Sequence, residues 1–62
     1  MESIMLSNGR MKRYPTQEND EWKFYSCGTH QEAVELQEAL QNRSKKAVVD
    51  FSSYGWFVRL KK

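Results

Sequence analysis

Gly28-Thr29-His30-Gln31-Glu32-Ala33-Val34-Glu35-Leu36-Gln37-Glu38-Ala39-Leu40-Gln41-Asn42-Arg43 is the stretch that decides the fold. Thr29 and Glu32 have the spacing of a capping box, in which the threonine hydroxyl accepts from a first-turn amide and the glutamate reaches back to the cap amide. Ala33, Leu36 and Leu40 then recur at helical intervals, flanked by Ala39, and form one apolar stripe. Gln31, Glu35, Glu38 and Asn42 fall on the opposite face. Glutamate in the first turn and Arg43 in the last both complement the helix dipole. The pattern predicts one amphipathic helix from Thr29 to Arg43, ended by Asn42 or Ser44.

Before the helix, Glu21-Trp22-Lys23-Phe24-Tyr25-Ser26-Cys27 is aromatic-rich and mostly alternating, as in a strand, and Gly28 breaks it. After it, Lys46-Ala47-Val48-Val49-Asp50-Phe51-Ser52 is short and β-branched. Ser53-Tyr54-Gly55 supplies a turn, and Trp56 to Lys61 alternates as a second strand. Residues 21–62 therefore read as a β-α-β-β body ending in an antiparallel hairpin. Residues 1–20 are less marked. Asn8-Gly9 is a favoured pair for a two-residue hairpin turn, and Tyr14 to Asp20 is polar and holds the one proline, as a loop would. An N-terminal hairpin and a frayed terminus are the two readings of this segment. The expected fold class is α+β: a small antiparallel sheet of three to five strands, order (ββ)βαββ, with the helix packed on one face.

A chain of 62 residues has room for a single domain. Such a domain buries only about 60% of its unfolded surface, so its core is thin. Cys27 is the only cysteine and His30 the only histidine. An intramolecular disulfide is excluded, and the usual four-ligand zinc site is not available. No metal or cofactor is expected. Aromatic side chains must supply much of the core, and a homodimer would add burial. No apolar run approaches the roughly 18 residues of a membrane span. The N-terminus has neither a basic nor a long apolar region. With its lone thiol, the chain reads as cytoplasmic and without a membrane partner.

The net charge is +2, but it is unevenly distributed. Glu21, Glu32, Glu35 and Glu38 make the helical region acidic. Lys45, Lys46, Arg59, Lys61 and Lys62 make the last third basic. Such polarity suits an oriented interface.

Catalysis finds little support. Cys27 with His30 is the only nucleophile-and-base pair, and no third group orients the histidine. The expectation is that Cys27 is a small packing residue, that His30 lies on the surface, and that the protein is not an enzyme. The glycines Gly9, Gly28 and Gly55 sit at turns and form no phosphate-binding motif.

Alternation assigns two sheet faces. Ala47, Val49, Phe51, Trp56, Val58 and Leu60 are expected to face the helix together with Trp22 and Phe24. Lys23, Tyr25, Val48, Asp50, Phe57, Arg59 and Lys61 are expected on the other side. Lys23, Tyr25, Phe57, Arg59 and Lys61 form the candidate binding surface, and Glu35 and Glu38 on the helix form a secondary acidic one. Tyrosine, phenylalanine and arginine are typical of protein interfaces. Aromatics among cations on an open sheet also stack bases and attract phosphates. The last strand, placed at an edge, would offer a pairing site for a partner strand. The sequence thus implies a small non-catalytic protein-interaction module, a regulator or inhibitor of a larger enzyme, with nucleic-acid binding as the alternative. In size and element order alone it is similar to small phage and bacterial accessory proteins.

Overall fold

A computed structural model describes residues 1–42 and 46–62 of the protein. The chain runs β1 (Glu2–Met5), β2 (Met11–Tyr14), β3 (Thr16–Glu18), β4 (Trp22–Gly28), α1 (His30–Gln41), β5 (Ala47–Ser52) and β6 (Gly55–Lys61). The class is α+β, with one helix on a small antiparallel sheet. β1 and β2 form a separate hairpin, and the main sheet has the order β3-β4-β6-β5.

The helix begins as its sequence dictates. Thr29 caps it in an extended conformation and accepts from the Glu32 amide at 3.3 Å, while Asn42 caps the other end. The second half of the capping box does not form. The Glu32 carboxylate takes the ammonium of Lys12 on β2 instead, because an ion pair outcompetes a bond to a neutral amide. Arg43, expected in the last turn, lies outside the described residues. Ala33, Leu36, Ala39 and Leu40 are buried, as the periodicity requires.

The N-terminal segment is ordered as a hairpin, but its turn differs from the two-residue expectation. The Leu6 amide bonds the Arg10 carbonyl and the Gly9 amide bonds the Leu6 carbonyl, with Gly9 at φ 86°. That is the pattern of a three-residue loop closed by a left-handed glycine. The expected loop after it is also partly structured. Thr16–Glu18 pairs with β4, and the Pro15 carbonyl accepts from the Ser26 amide at 3.0 Å. Asn19 Oδ1 accepts from the amides of Glu21 and Trp22, and so turns the chain from β3 into β4. Tyr14, assigned from sequence to that loop, is one of the largest fully buried side chains.

The β5–β6 hairpin turns through Ser53-Tyr54, and here glycine is required twice over. Gly55 has φ 112°, and a Cβ on it would meet the Gly28 carbonyl oxygen at 3.1 Å. β6 lies between β4 and β5 rather than at an edge, since β4 pairs along its other side. The last strand therefore offers no free edge to a partner strand.

The core lies between the sheet and two covers on the same side. Ile4, Leu6 and Tyr14 from the hairpin join Ala33, Leu36, Ala39 and Leu40 from the helix over Tyr25, Cys27, Ala47 and Val58. Polar contacts pin the hairpin down. Glu2 accepts from Lys23 and from the Tyr25 hydroxyl, the latter at 2.7 Å, and Lys12 pairs with Glu32. The Tyr14 hydroxyl is buried without a partner among the described residues, and burial, ahead of the nearby Cys27, Glu32 and Glu35, pushes its pKa up to about 12. No helix among the described residues is long and apolar enough to cross a membrane.

Two stability experiments follow from this packing. Leu36→Ala empties the centre of the core and is expected to lower unfolding free energy by about 2–5 kcal/mol. Tyr14→Phe removes a hydroxyl with no acceptor among the described residues, so chemical denaturation should find it unchanged or slightly more stable than the parent. Acid sensitivity is the other test. The Lys23 hydrogen bond, then that of Tyr25, holds the Glu2 carboxyl below its ordinary 4.5. A depressed folded-state pKa stabilises above the unfolded value and is lost as pH falls through the folded one. Lys23 is raised by the same bond to Glu2, so its share is present below its ordinary value and lost in strong alkali. Stability should thus fall below pH about 4.5, and Glu2→Gln should flatten that acid limb in urea titrations at successive pH values.

Candidate functional site

The register of β4 against β6 decides which side chains share the uncovered side of the sheet. Tyr25 stands opposite Val58, Phe24 opposite Arg59 and Trp22 opposite Lys61. Between Ser26 and Gly28 the register shifts by one residue, a bulge that ends the regular alternation. Lys23, Tyr25 and Cys27 consequently point toward the helix and hairpin. Trp22, Phe24 and Ser26 point away, beside Phe57, Arg59 and Lys61.

This reverses the expected phase of β4. Tyr25 is not on the open face: it is 2% exposed, touches Tyr14 edge-to-face at 6.4 Å and donates to Glu2. Burial and that carboxylate push its pKa up to about 12. Lys23 is on the same inner side and is paired with Glu2. Trp22 and Phe24, expected in the core, occupy the open face in their place. The sequence signal for this phase lies in Cys27. A free thiol is among the most consistently buried groups, and residues 23, 25 and 27 share one side of a strand. Polar Ser26 shares the other with Phe24 and Trp22.

Phe57, Arg59 and Lys61 are brought together as expected, with Val48 and Asp50 of β5 beside them. The Trp22 ring is flanked by two cations, the Arg59 guanidinium carbon at 4.9 Å and Lys61 Nζ at 5.0 Å from its centroid. Phe24 and Phe57 lie side by side with centroids 6.0 Å apart. Beyond them a cleft of about 610 Å3 opens toward the β5–β6 turn, lined by Gln17, Phe24, Ser26, Tyr54 and Phe57 among others. Tyr54 at its rim is 97% exposed. No helix or strand among the described residues packs over this face.

The cations here are not isolated. Arg59 lies 3.9 Å from Asp50, Lys61 lies 3.6 Å from Glu21, and Lys62 lies 3.4 Å from Glu18. Arg59 Nε has no acceptor among the described residues. The face is therefore aromatic at its centre and of mixed charge at its margins.

The secondary acidic surface is divided. Glu38 is exposed on the helix. Glu35 is half-buried and lines a hollow of about 250 Å3 with Arg10 and Lys12 of the hairpin. It faces basic groups of its own chain.

Cys27 and His30 engage separate neighbours. Cys27 is 8% exposed, with Sγ 3.6 Å from the Tyr25 carbonyl oxygen. Burial, then the Glu32 carboxylate, pushes its thiol up to about 11, opposite to what a nucleophilic cysteine needs. His30 packs edge-on against Trp56 at 4.6 Å. Among the described residues no three metal-ligating side chains gather.

Comparison with protein-family models, with curated proteins and with solved structures returns no match for this chain.

The thiol environment can be checked directly. Native Cys27 is expected to react with iodoacetamide at least about tenfold more slowly than free cysteine, since one pKa unit changes the thiolate fraction about tenfold. Denaturant should restore the ordinary rate.

Proposed function

We propose that this protein is a non-catalytic protein-interaction module that docks through Trp22, Phe24, Phe57 and Arg59, as a small regulator or inhibitor of a larger protein does. The observation that carries this reading is the sheet face that neither the helix nor the hairpin covers, with its aromatic rings grouped at the centre. Aromatic residues and arginine are the usual energetic anchors of protein interfaces, and a polar rim around them excludes water. Asp50, Glu21 and Glu18 give this rim both signs of charge, which suits a protein surface of mixed charge.

Nucleic-acid binding is the second reading, and Trp22 between Arg59 and Lys61 favours it. A base could stack on such a ring while the cations meet phosphates. The carboxylate beside each cation weighs against it, because a phosphate backbone would approach Asp50 and Glu21 as closely as their partners. The inner position of Lys23 removes one further cation from the face.

Affinity capture with and without nuclease, comparing the parent with Phe57→Glu, separates the two. A protein partner should survive nuclease and be lost with Phe57→Glu, which is expected to cost about 2 kcal/mol or more of binding as a central anchor does. Circular dichroism of the variant should match the parent. Capture of nucleic acid alone, with affinity falling steeply as salt rises, would replace the first reading by the second.

A further inference from the structure

β5 is the long edge strand of the main sheet, with six residues against the three of β3 on the opposite edge. Its residues 46, 48, 50 and 52 turn their backbone groups toward β6, as the bond from the Lys61 amide to the Lys46 carbonyl shows. Residues 47, 49 and 51 turn theirs outward. Two of those outward groups are already engaged by side chains. The Ala47 carbonyl accepts from Gln37 Nε2 at 3.1 Å, and the Phe51 amide donates to Asp50 Oδ1 at 2.8 Å. No strand among the described residues pairs with this edge.

An exposed edge is a template for another strand, and natural proteins usually blunt it with charges. Here the charges are Lys46 and Asp50, placed symmetrically about Val48. That spacing is self-complementary. We propose that the outer edge of β5 is a self-association site, where two copies of this chain pair antiparallel about a two-fold axis at Val48.

The register is selected by the groups on the strand. A two-fold at Asp50 would set two carboxylates directly opposite, which is destabilising. A two-fold at Val49 would require the Phe51 amide that Asp50 already holds. A two-fold at Val48 uses only the outward groups of Ala47 and Val49, each residue facing the other in the second copy. The Ala47 carbonyl has a second lone pair beyond the one Gln37 uses. Lys46 then stands across from the partner's Asp50, and Asp50 across from the partner's Lys46. All four lie on the open side of the sheet, with Val48 between its two copies. The product is a continuous eight-stranded sheet, four strands from each copy. The interface is isologous, as a two-fold dimer requires. Edge pairing alone buries less area than a permanent dimer needs, so the association is reversible and concentration-dependent. Trp22, Phe24 and Phe57 stay uncovered, and Asp50, which also lies beside Arg59, is the residue this edge shares with the rim of the sheet face.

Sedimentation equilibrium of the full chain over a concentration series tests the proposal. The parent is expected to pass from monomer to dimer. Lys46→Glu and Asp50→Lys should each weaken the dimer about tenfold or more, since each sets like charges across the axis twice. An equimolar mixture of the two variants should associate better than either alone, because Glu and Lys then face each other at one pair and Lys46 and Asp50 at the other. That gain cannot come from misfolded protein. Val49→Pro removes an outward amide while leaving the bonds to β6, and proline is tolerated on an edge strand; it should stay monomeric with parental circular dichroism. A parent that remains monomeric throughout overturns the proposal. So does a dimer unaffected by all three substitutions, or a mixture that associates no better than its components.

Discussion

Everything in this structure depends on Tyr25 and Cys27 facing inward from β4. Tyr25 meets Tyr14 from the hairpin, and its hydroxyl reaches Glu2 at the start of β1. One side chain thus joins the central sheet to the N-terminal segment by apolar and polar contact together. Because strand side chains alternate, the same placement sends Trp22 and Phe24 to the other side. The inner face of the sheet gains a second cover, and the outer face gains its rings. Shifting β4 by one residue would exchange both sets at once.

The division of labour reflects the size of the chain. A helix of 12 residues spans about 18 Å, too little to cover a four-stranded sheet alone. The hairpin fills the remainder on the same side, with Ile4, Leu6 and Tyr14 as its contribution. No helix or strand among the described residues covers the outer face, whose side chains pack on one another. Arg59 and Lys61 lie against Trp22, and Phe24 lies against Phe57. Long cationic stems cover ring surface while their charged ends remain in water. An uncovered aromatic face can persist on such a small domain because these contacts shield part of it.

The helix between Thr29 and Asn42 was legible in the sequence because its signals are local. Cap, periodicity and C-terminal Asn42 all act within a turn or two of each other. The β5–β6 hairpin was legible for the same reason, through its turn and its alternation. What could not be read were choices made by partners distant in sequence. Glu32 abandons the capping box for Lys12, twenty residues away. Tyr14 follows three strand residues and precedes a proline, so it resembles a loop residue until Tyr25 and the helix close around it. β4 is the instructive case. Both of its faces carry aromatic residues, so periodicity alone could not choose between them. The lone cysteine could, since a buried Cys27 carries Tyr25 inward with it. Three of the five residues expected on the binding face are there, and Trp22 and Phe24 stand where Lys23 and Tyr25 were expected.

That exchange alters the chemistry of the face. With Lys23 and Tyr25 outward it would have been more cationic, with a phenol available for hydrogen bonding. With Trp22 and Phe24 outward it is more apolar, and the remaining cations each lie near a carboxylate. Long-range attraction for a polyanion falls when opposite charges lie within a Debye length of each other. For the docking proposed above, desolvating the rings on a partner is the larger contribution, because it scales with apolar area removed from water and needs no net charge. The same pairing of charges confers orientation. Arg59 with Asp50 and Lys61 with Glu21 present alternating signs around an apolar centre, so a partner of matching pattern is favoured in one pose and opposed when rotated. Complementarity of this kind contributes more to specificity than to affinity. In the interaction proposed above, one aromatic anchor group inside a two-signed rim would favour selection of a partner over indiscriminate binding to charged surfaces.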